Sequence, residues 1–197
     1  MFRLQSALDQ RLVPDARAAS AGAGTLRLGR LPAWQLLQIG SFQRTAGPLN
    51  TAVTTVLGSP LPTSSSIVQR TGAHRLYRIA SDQYWILTPE TAVVDALVQS
   101  LAPELASLTV LSSARLRLAL EGPAVTTLLG KVVSIDLRAA AFPAGSFAQT
   151  GLHHVGVLLE RLGPERFELH VLRTYAASVW DWLIDAALPL GYEVLSA

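Results

Sequence analysis

The residues best equipped for chemistry in this chain are His153-His154, Gly130-Lys131, the carboxylates Asp181 and Asp185, and the indoles of Trp180 and Trp182. Adjacent imidazoles suggest a metal, but consecutive side chains of a strand point to opposite faces, so the two cannot easily share one ion. Neither an H-E-x-x-H motif nor a histidine-carboxylate constellation surrounds them, and structural histidines are the better reading. Gly130-Lys131 has the ending of a phosphate loop. The glycine that such a loop needs upstream is Val125, and Val132 stands where serine or threonine would hold magnesium, so that reading fails. Asp181 and Asp185 lie one helical turn apart, as an acid-base pair would, yet the stripe they occupy reads as a solvated face. Trp180 and Trp182 could stack on a flat ligand such as a pterin; core and interface packing is the commoner use of tryptophan. Asp136 reads as a turn residue. Gly22 and Gly24 begin no dinucleotide fingerprint, and no G-x-S-x-G elbow presents a serine. No residue is assigned a catalytic, cofactor-binding or metal-binding role.

Composition narrows the classes further. Of the 197 residues 50% are hydrophobic and only 15% charged, against roughly 25% charged in an average soluble domain. Mean hydropathy is +0.34. No apolar run approaches the ~20 residues of a spanning helix, so no membrane is expected and the excess apolar surface calls for a partner. The net charge of +2, with no Lys/Arg-rich run, gives nucleic acid nothing to bind. Cysteine is absent, which removes disulfides, thiolate metal sites and thiol nucleophiles and fits a reducing compartment. The first 24 residues lack the apolar segment of a signal peptide, and a cytoplasmic location is expected.

The elements that must position these residues follow from periodicity. Leu116, Leu118 and Leu120 alternate with Arg115, Arg117 and Ala119, a strand with one buried face. Gly122-Pro123 opens a helix in which Val125, Leu128, Leu129 and Val132 form one apolar stripe. Strands are expected at residues 146–150, 154–161 and 167–172, the last two joined by Gly163-Pro164-Glu165. Thr174 caps a final helix reaching about Leu188. Upstream, residues 25–31 and 34–42 read as strands, 49–58 as a helix and 60–66 as a loop. A hairpin at 74–87 leads through Thr88-Pro89 into a helix at 90–101 and a closing strand at 108–111.

Val-Thr-Thr-Val-Leu-Gly at residues 53–58 recurs as Val-Thr-Thr-Leu-Leu-Gly at 125–130, in helices that hold the same place in the element order. Both halves read strand-helix-hairpin-helix-strand. The expected fold class is therefore α+β, built from duplicated split βαββαβ (ferredoxin-like) units. Residues 1–24 form an N-terminal arm, a frayed terminus or one lying on a neighbouring subunit. Residues 25–197 form a single compact domain of two repeats, about 25–112 and 113–197.

The final helix carries Thr174, Ser178, Asp181 and Asp185 on one narrow polar stripe. Tyr175, Val179, Trp182, Leu183 and Ala186 make one apolar face, and Ala176, Ala177, Trp180 and Ile184 another. A monomer's own sheet buries one such face; the second suggests a partner, with Trp180, Trp182, Ile184 and Tyr175 as the interface.

The densest motifs are Asp136-Leu137, Phe142-Pro143-Ala144-Gly145-Ser146, Ala148-Gln149-Thr150, Arg173-Thr174-Tyr175-Ala176 and Trp180-Asp181-Trp182-Leu183, with residues 84–90 (YWILTPE) in the first half. In these the chain resembles the gamma subunits of bacterial heterotetrameric sarcosine oxidases, over roughly residues 25–195. The resemblance implies a fold like the folate-binding domain of glycine-cleavage aminomethyltransferases. It also implies a non-catalytic structural subunit in a complex that demethylates sarcosine to glycine, forming hydrogen peroxide and, with tetrahydrofolate, methylene-tetrahydrofolate. FAD, FMN, NAD and tetrahydrofolate would then belong to the larger subunits and zinc to the smallest, with no cofactor in this chain. The implied partners are the alpha, beta and delta subunits, chiefly the large folate-binding alpha subunit. Two alternatives stay open. One is a stand-alone tetrahydrofolate-binding or one-carbon transfer protein of the same fold, and the other a scaffold in a related amine or N-methyl amino-acid oxidase.

Overall fold

The computed structural model of the protein describes Leu8, residues 16–17, 26–42 and 44–195. Strands β1 (Ala16–Arg17) and β2 (Leu26–Arg30) come first. The first ferredoxin-like run is β3 (Gln35–Ser41), α1 (Ala46–Leu57), β4 (Gln69–Thr71), β5 (His74–Arg78), β6 (Gln83–Thr88), α2 (Thr91–Ser100) and β7 (Ala106–Val110). The second is β8 (Arg115–Glu121), α3 (Val125–Val132), β9 (Phe147–Leu152), β10 (Val155–Gly163), β11 (Arg166–Leu172), α4 (Ala176–Ala187) and β12 (Tyr192–Leu195). Each expected element has its counterpart here. The first repeat also gains one strand too short for sequence periodicity to reveal, the three-residue β4.

Two compact units result, Ala33–Ser113 and Met1–Pro32 with Ala114–Ala197. In the first, the sheet order is β4-β5-β6-β3-β7. Leaving out β4, this is the split βαβ arrangement, in which each helix links two parallel strands with an antiparallel strand between them. Leu37, Ile39, Leu76 and Ile86 on one sheet face meet Leu49 and Val53 of α1 and Val94 and Leu97 of α2. Gly58 ends α1 with φ of 68° and donates its N–H to the Thr54 carbonyl at 2.8 Å, a left-handed cap that suits glycine best. Thr88 does not simply cap α2. Its buried hydroxyl accepts from the Glu90 N–H at 3.0 Å and lies 2.9 Å from His74 Nδ1, fastening the helix start to β5.

In the second unit the order is β1-β12-β2-β8-β11-β10-β9. The strand expected at residues 25–31 thus leaves the first repeat and inserts between β12 and β8 of the second, parallel to β12. Gly29 permits this: a Cβ there would lie 2.7 Å from that of Leu195. Leu8 is buried in this unit's own core, and Ala16–Arg17 pairs with β12. The remainder of the 1–24 arm lies outside the described residues. Leu118, Leu120, Phe167 and Leu169 face Leu128 and Leu129 of α3 and Val179 and Leu183 of α4 across the core.

The end of the chain differs from expectation in one local respect. No side chain caps α4; Thr174 sits inside a 3-10 turn, Arg173–Tyr175, that feeds the helix. The helix buries Ala176, Val179, Trp180, Leu183 and Ala187, one stripe at helical spacing that draws on both faces separated above. Thr174, Ser178, Asp181 and Asp185 are exposed, as the polar stripe required.

Candidate functional site

The alternation along β8, β10 and β11 places Leu118, Leu169 and Leu159 on the helix side of the sheet, so Arg117, Glu168, His170 and Glu160 lie on the other. Sequence reasoning took that side of β8 for solvent. All four are in fact buried, Glu160, Glu168 and His170 with no exposed surface at all. Register brings them together: His170 lies opposite Arg117, and Glu160 opposite Glu168.

A carboxylate buried in a sheet, as Glu168 is, needs positive charge beside it. Arg117 supplies it. Its Nε and Nη2 donate to the two oxygens of Glu168 at 2.6 and 3.0 Å, and Nη1 donates to the Pro32 carbonyl at 3.1 Å. Nε2 of His170 lies 3.0 Å from Glu168 Oε1. Burial alone would raise the pKa of Glu168. The contacts of His170 and Arg117 outweigh it and hold the carboxyl far below the usual range.

Ligand atoms of Glu160, Glu168 and His170 lie within 4.8 Å of one another, a spacing that suits a cation. The donor set does not. Both Glu168 oxygens already serve Arg117, whose fixed positive charge opposes a divalent ion beside it. The cluster is built as a buried ion network, with Arg117, 8% exposed, its most accessible member.

A second buried cation was missed by sequence reasoning. Arg161 in β10 donates to the carbonyls of Leu137 at 2.9 Å, Phe142 at 2.8 Å, Gly163 at 3.1 Å and Pro164 at 3.1 Å. Its guanidinium lies over the Phe167 ring, 5.2 Å from the centroid. The Phe142-Pro143-Ala144-Gly145-Ser146 motif is thereby clasped to the sheet, and Gly145 N–H and Ser146 O exchange hydrogen bonds with the Arg161 backbone.

The residues expected at a partner interface separate. Trp180 is only 2% exposed and belongs to the chain's own core, because it shares the stripe of Ala176 and Leu183. Trp182 and Ile184 are half-buried at the core's margin, and Tyr175 is 47% exposed. His153 and His154 form the tip of the β9–β10 hairpin and meet Trp182 edge-on, at 4.9 and 5.0 Å between ring centroids. His153 adopts a φ of 49°, uncommon for a residue with a side chain. The two imidazoles therefore meet one indole rather than a shared ion, and with Tyr175 they give α4 an aromatic outer surface. Trp180→Ala should cost about 3–5 kcal/mol of folding stability, measured by chemical denaturation of the isolated chain.

Comparison with known proteins identifies the family and the fold. Residues 43–188 match the sarcosine oxidase, gamma subunit family. Sarcosine oxidase subunit gamma of Corynebacterium sp. (strain P-1) is 28% identical over 182 residues, 91% of this chain and 88% of that protein. That of Corynebacterium sp. (strain U-96) is 30% identical over 109 residues, 55% of this chain and 53% of its own. Among solved structures, heterotetrameric sarcosine oxidase from Corynebacterium sp. U-96, in complex with pyrrole 2-carboxylate, contains a chain that superposes with a TM-score of 0.76. The identity is 25%, over 86% of this chain and 87% of that one. The glycine cleavage system aminomethyltransferase T from Bartonella henselae superposes with a TM-score of 0.58 at 15% identity, over 87% of this chain and 48% of that one. That likeness is one of fold.

Proposed function

The chain belongs to the sarcosine oxidase gamma subunit family, and we propose that it serves the oxidase as a non-catalytic scaffold. The observation that carries this is the superposition along nearly the whole chain on one chain of a heterotetrameric sarcosine oxidase. The oxidase is a cofactor-bearing complex, and its other subunits are this chain's partners. In this reading sarcosine is demethylated to glycine elsewhere in the assembly. FAD, FMN, NAD and tetrahydrofolate are held by the larger subunits and zinc by the smallest. The large alpha subunit is the chief contact, and the complex works in the cytoplasm. What supports a scaffold role is the character of the polar cluster: its carboxylates are buried, and Glu168 is held through both oxygens by Arg117.

The docking surface in this reading is the aromatic outer side of α4, Tyr175 and Trp182 with Ile184, flanked by His153 and His154. Buried aromatic side chains dominate interface energies, often at 2 kcal/mol or more each. Co-expression of all subunits with Tyr175→Ala and Trp182→Ala tests this. The double variant should lose about 2–4 kcal/mol of association while intact complex keeps its flavin chemistry. Full assembly at the normal affinity would remove α4 from the interface, and loss of activity within intact complex would argue against a scaffold.

The fold shared with an aminomethyltransferase keeps one other reading in play, a stand-alone tetrahydrofolate-binding protein. Titration of the purified chain with tetrahydrofolate decides it: stoichiometric tight binding without other subunits would favour that reading.

A further inference from the structure

The five-stranded sheet ends on β7, and this edge differs from the others in what it exposes. Leu111 N–H donates to the Leu36 carbonyl at 2.7 Å, and Thr109 and Ser107 continue that register opposite Gln38 and Gly40. In an antiparallel ladder these residues direct their backbone groups toward β3. The alternating residues Ala106, Leu108 and Val110 therefore direct theirs outward. Among the described residues nothing bonds those groups.

Proteins guard such edges with lysines, prolines, bulges or very short strands. Between Leu105 and Ala114 there is no charged residue, proline or glycine. Val110 is 56% exposed, and Thr109 and Ser107 are exposed on the opposite face. The register against β3 runs without a bulge. The other edge of this sheet, β4, is three residues long and carries Arg70. At the far edge of the seven-stranded sheet, the end of β9 is bridged by Val133. Of the two edges of the five-stranded sheet, β7 is the one left flat, uncharged and, among the described residues, uncovered.

We propose that β7 accepts an extended strand from another subunit of the oxidase, which continues the five-stranded sheet by main-chain hydrogen bonds. The inference rests on the reading that this chain is a subunit of a complex of unlike chains. Only an extended backbone can satisfy outward donors and acceptors that recur at every second residue, which excludes a helix or a small ligand as occupant. The arriving strand meets Val110 and Leu108 on the helix side of the sheet, so apolar residues at alternate positions are what it brings there.

Amide hydrogen exchange, resolved to single residues, is the test, on the isolated chain and on the assembled oxidase. The amides of Leu108 and Val110 should exchange rapidly in the isolated chain and become protected in the complex, while those of Thr109 and Leu111 are protected in both. Val110→Pro removes one outward N–H without touching the ladder to β3, and edge strands tolerate proline at such a position. It should weaken assembly about tenfold, the equivalent of about 1.4 kcal/mol, whereas Val110→Thr should not. Equal, rapid exchange of Leu108 and Val110 in the intact complex would overturn the inference and leave the subunit role standing. Protection in the isolated chain, with dimers in sedimentation, would mean that a second copy fills the edge and would overturn it as well. Failure to assemble with any other subunit would remove the premise and the inference together.

Discussion

Replacement of Arg161 by alanine is expected to cost about 3–5 kcal/mol, a large part of the 5–15 kcal/mol that stabilises a typical domain. The side chain is 6% exposed and donates to four backbone carbonyls, two of them, at Leu137 and Phe142, within the long connection between α3 and β9. That connection has no helix or strand of its own and must find partners for its polar backbone elsewhere. Truncation removes the bonds and leaves buried carbonyls unsatisfied, at about 1–3 kcal/mol each where water cannot enter. Phe142, stacked on Phe167 with centroids 6.5 Å apart, would lose its anchor as well. Lysine should restore only a fraction, since a single ammonium cannot reach the positions that a planar fork serves at once. Urea titration at unchanged m-value is the measurement; a loss below about 1 kcal/mol would show that the connection holds itself in place.

The fold was legible where a single rule acted locally. Alternation marks β8, glycine and proline mark the turns, the one between β10 and β11 included, and the repeated Val-Thr-Thr string marks α1 and α3 as equivalent. What escaped was decided at a distance. The strand at residues 26–30 has the same appearance whichever sheet receives it; its place beside β12 depends on the absence of a Cβ at Gly29. Trp180 and Trp182 sit two residues apart on one helix, and pattern alone assigned both to a partner. Contact with Ala176 and Leu183 draws one into the core and leaves the other at its margin. Arg117 reads as a solvent charge because it alternates with the leucines of β8, and nothing in the pattern singles out Arg161. Their burial follows from Glu168 and from the carbonyls of a connection whose path no periodicity encodes.

Removal of Glu168 carries the other large effect, and its dependence on pH separates charge from packing. Glu168→Ala leaves the guanidinium of Arg117 buried without its bidentate partner, a change expected to cost about 3–5 kcal/mol. The joint replacement Arg117→Met with Glu168→Leu should cost less than Glu168→Ala alone, because the two charges it removes are a matched pair. Burial would raise the pKa of this carboxyl, but His170 and Arg117 hold it well below its ordinary value in the folded chain. A depressed folded pKa adds stability that is complete above the unfolded value, about 4.3 for glutamate, and is lost as pH falls toward the folded one. The wild-type chain should thus lose stability steadily on acidification below about pH 5, and Glu168→Gln should follow a flatter profile over that window. Parallel profiles for the two would mean that the carboxylate's charge contributes nothing, and that Glu168 and Arg117 matter only for the volume they fill.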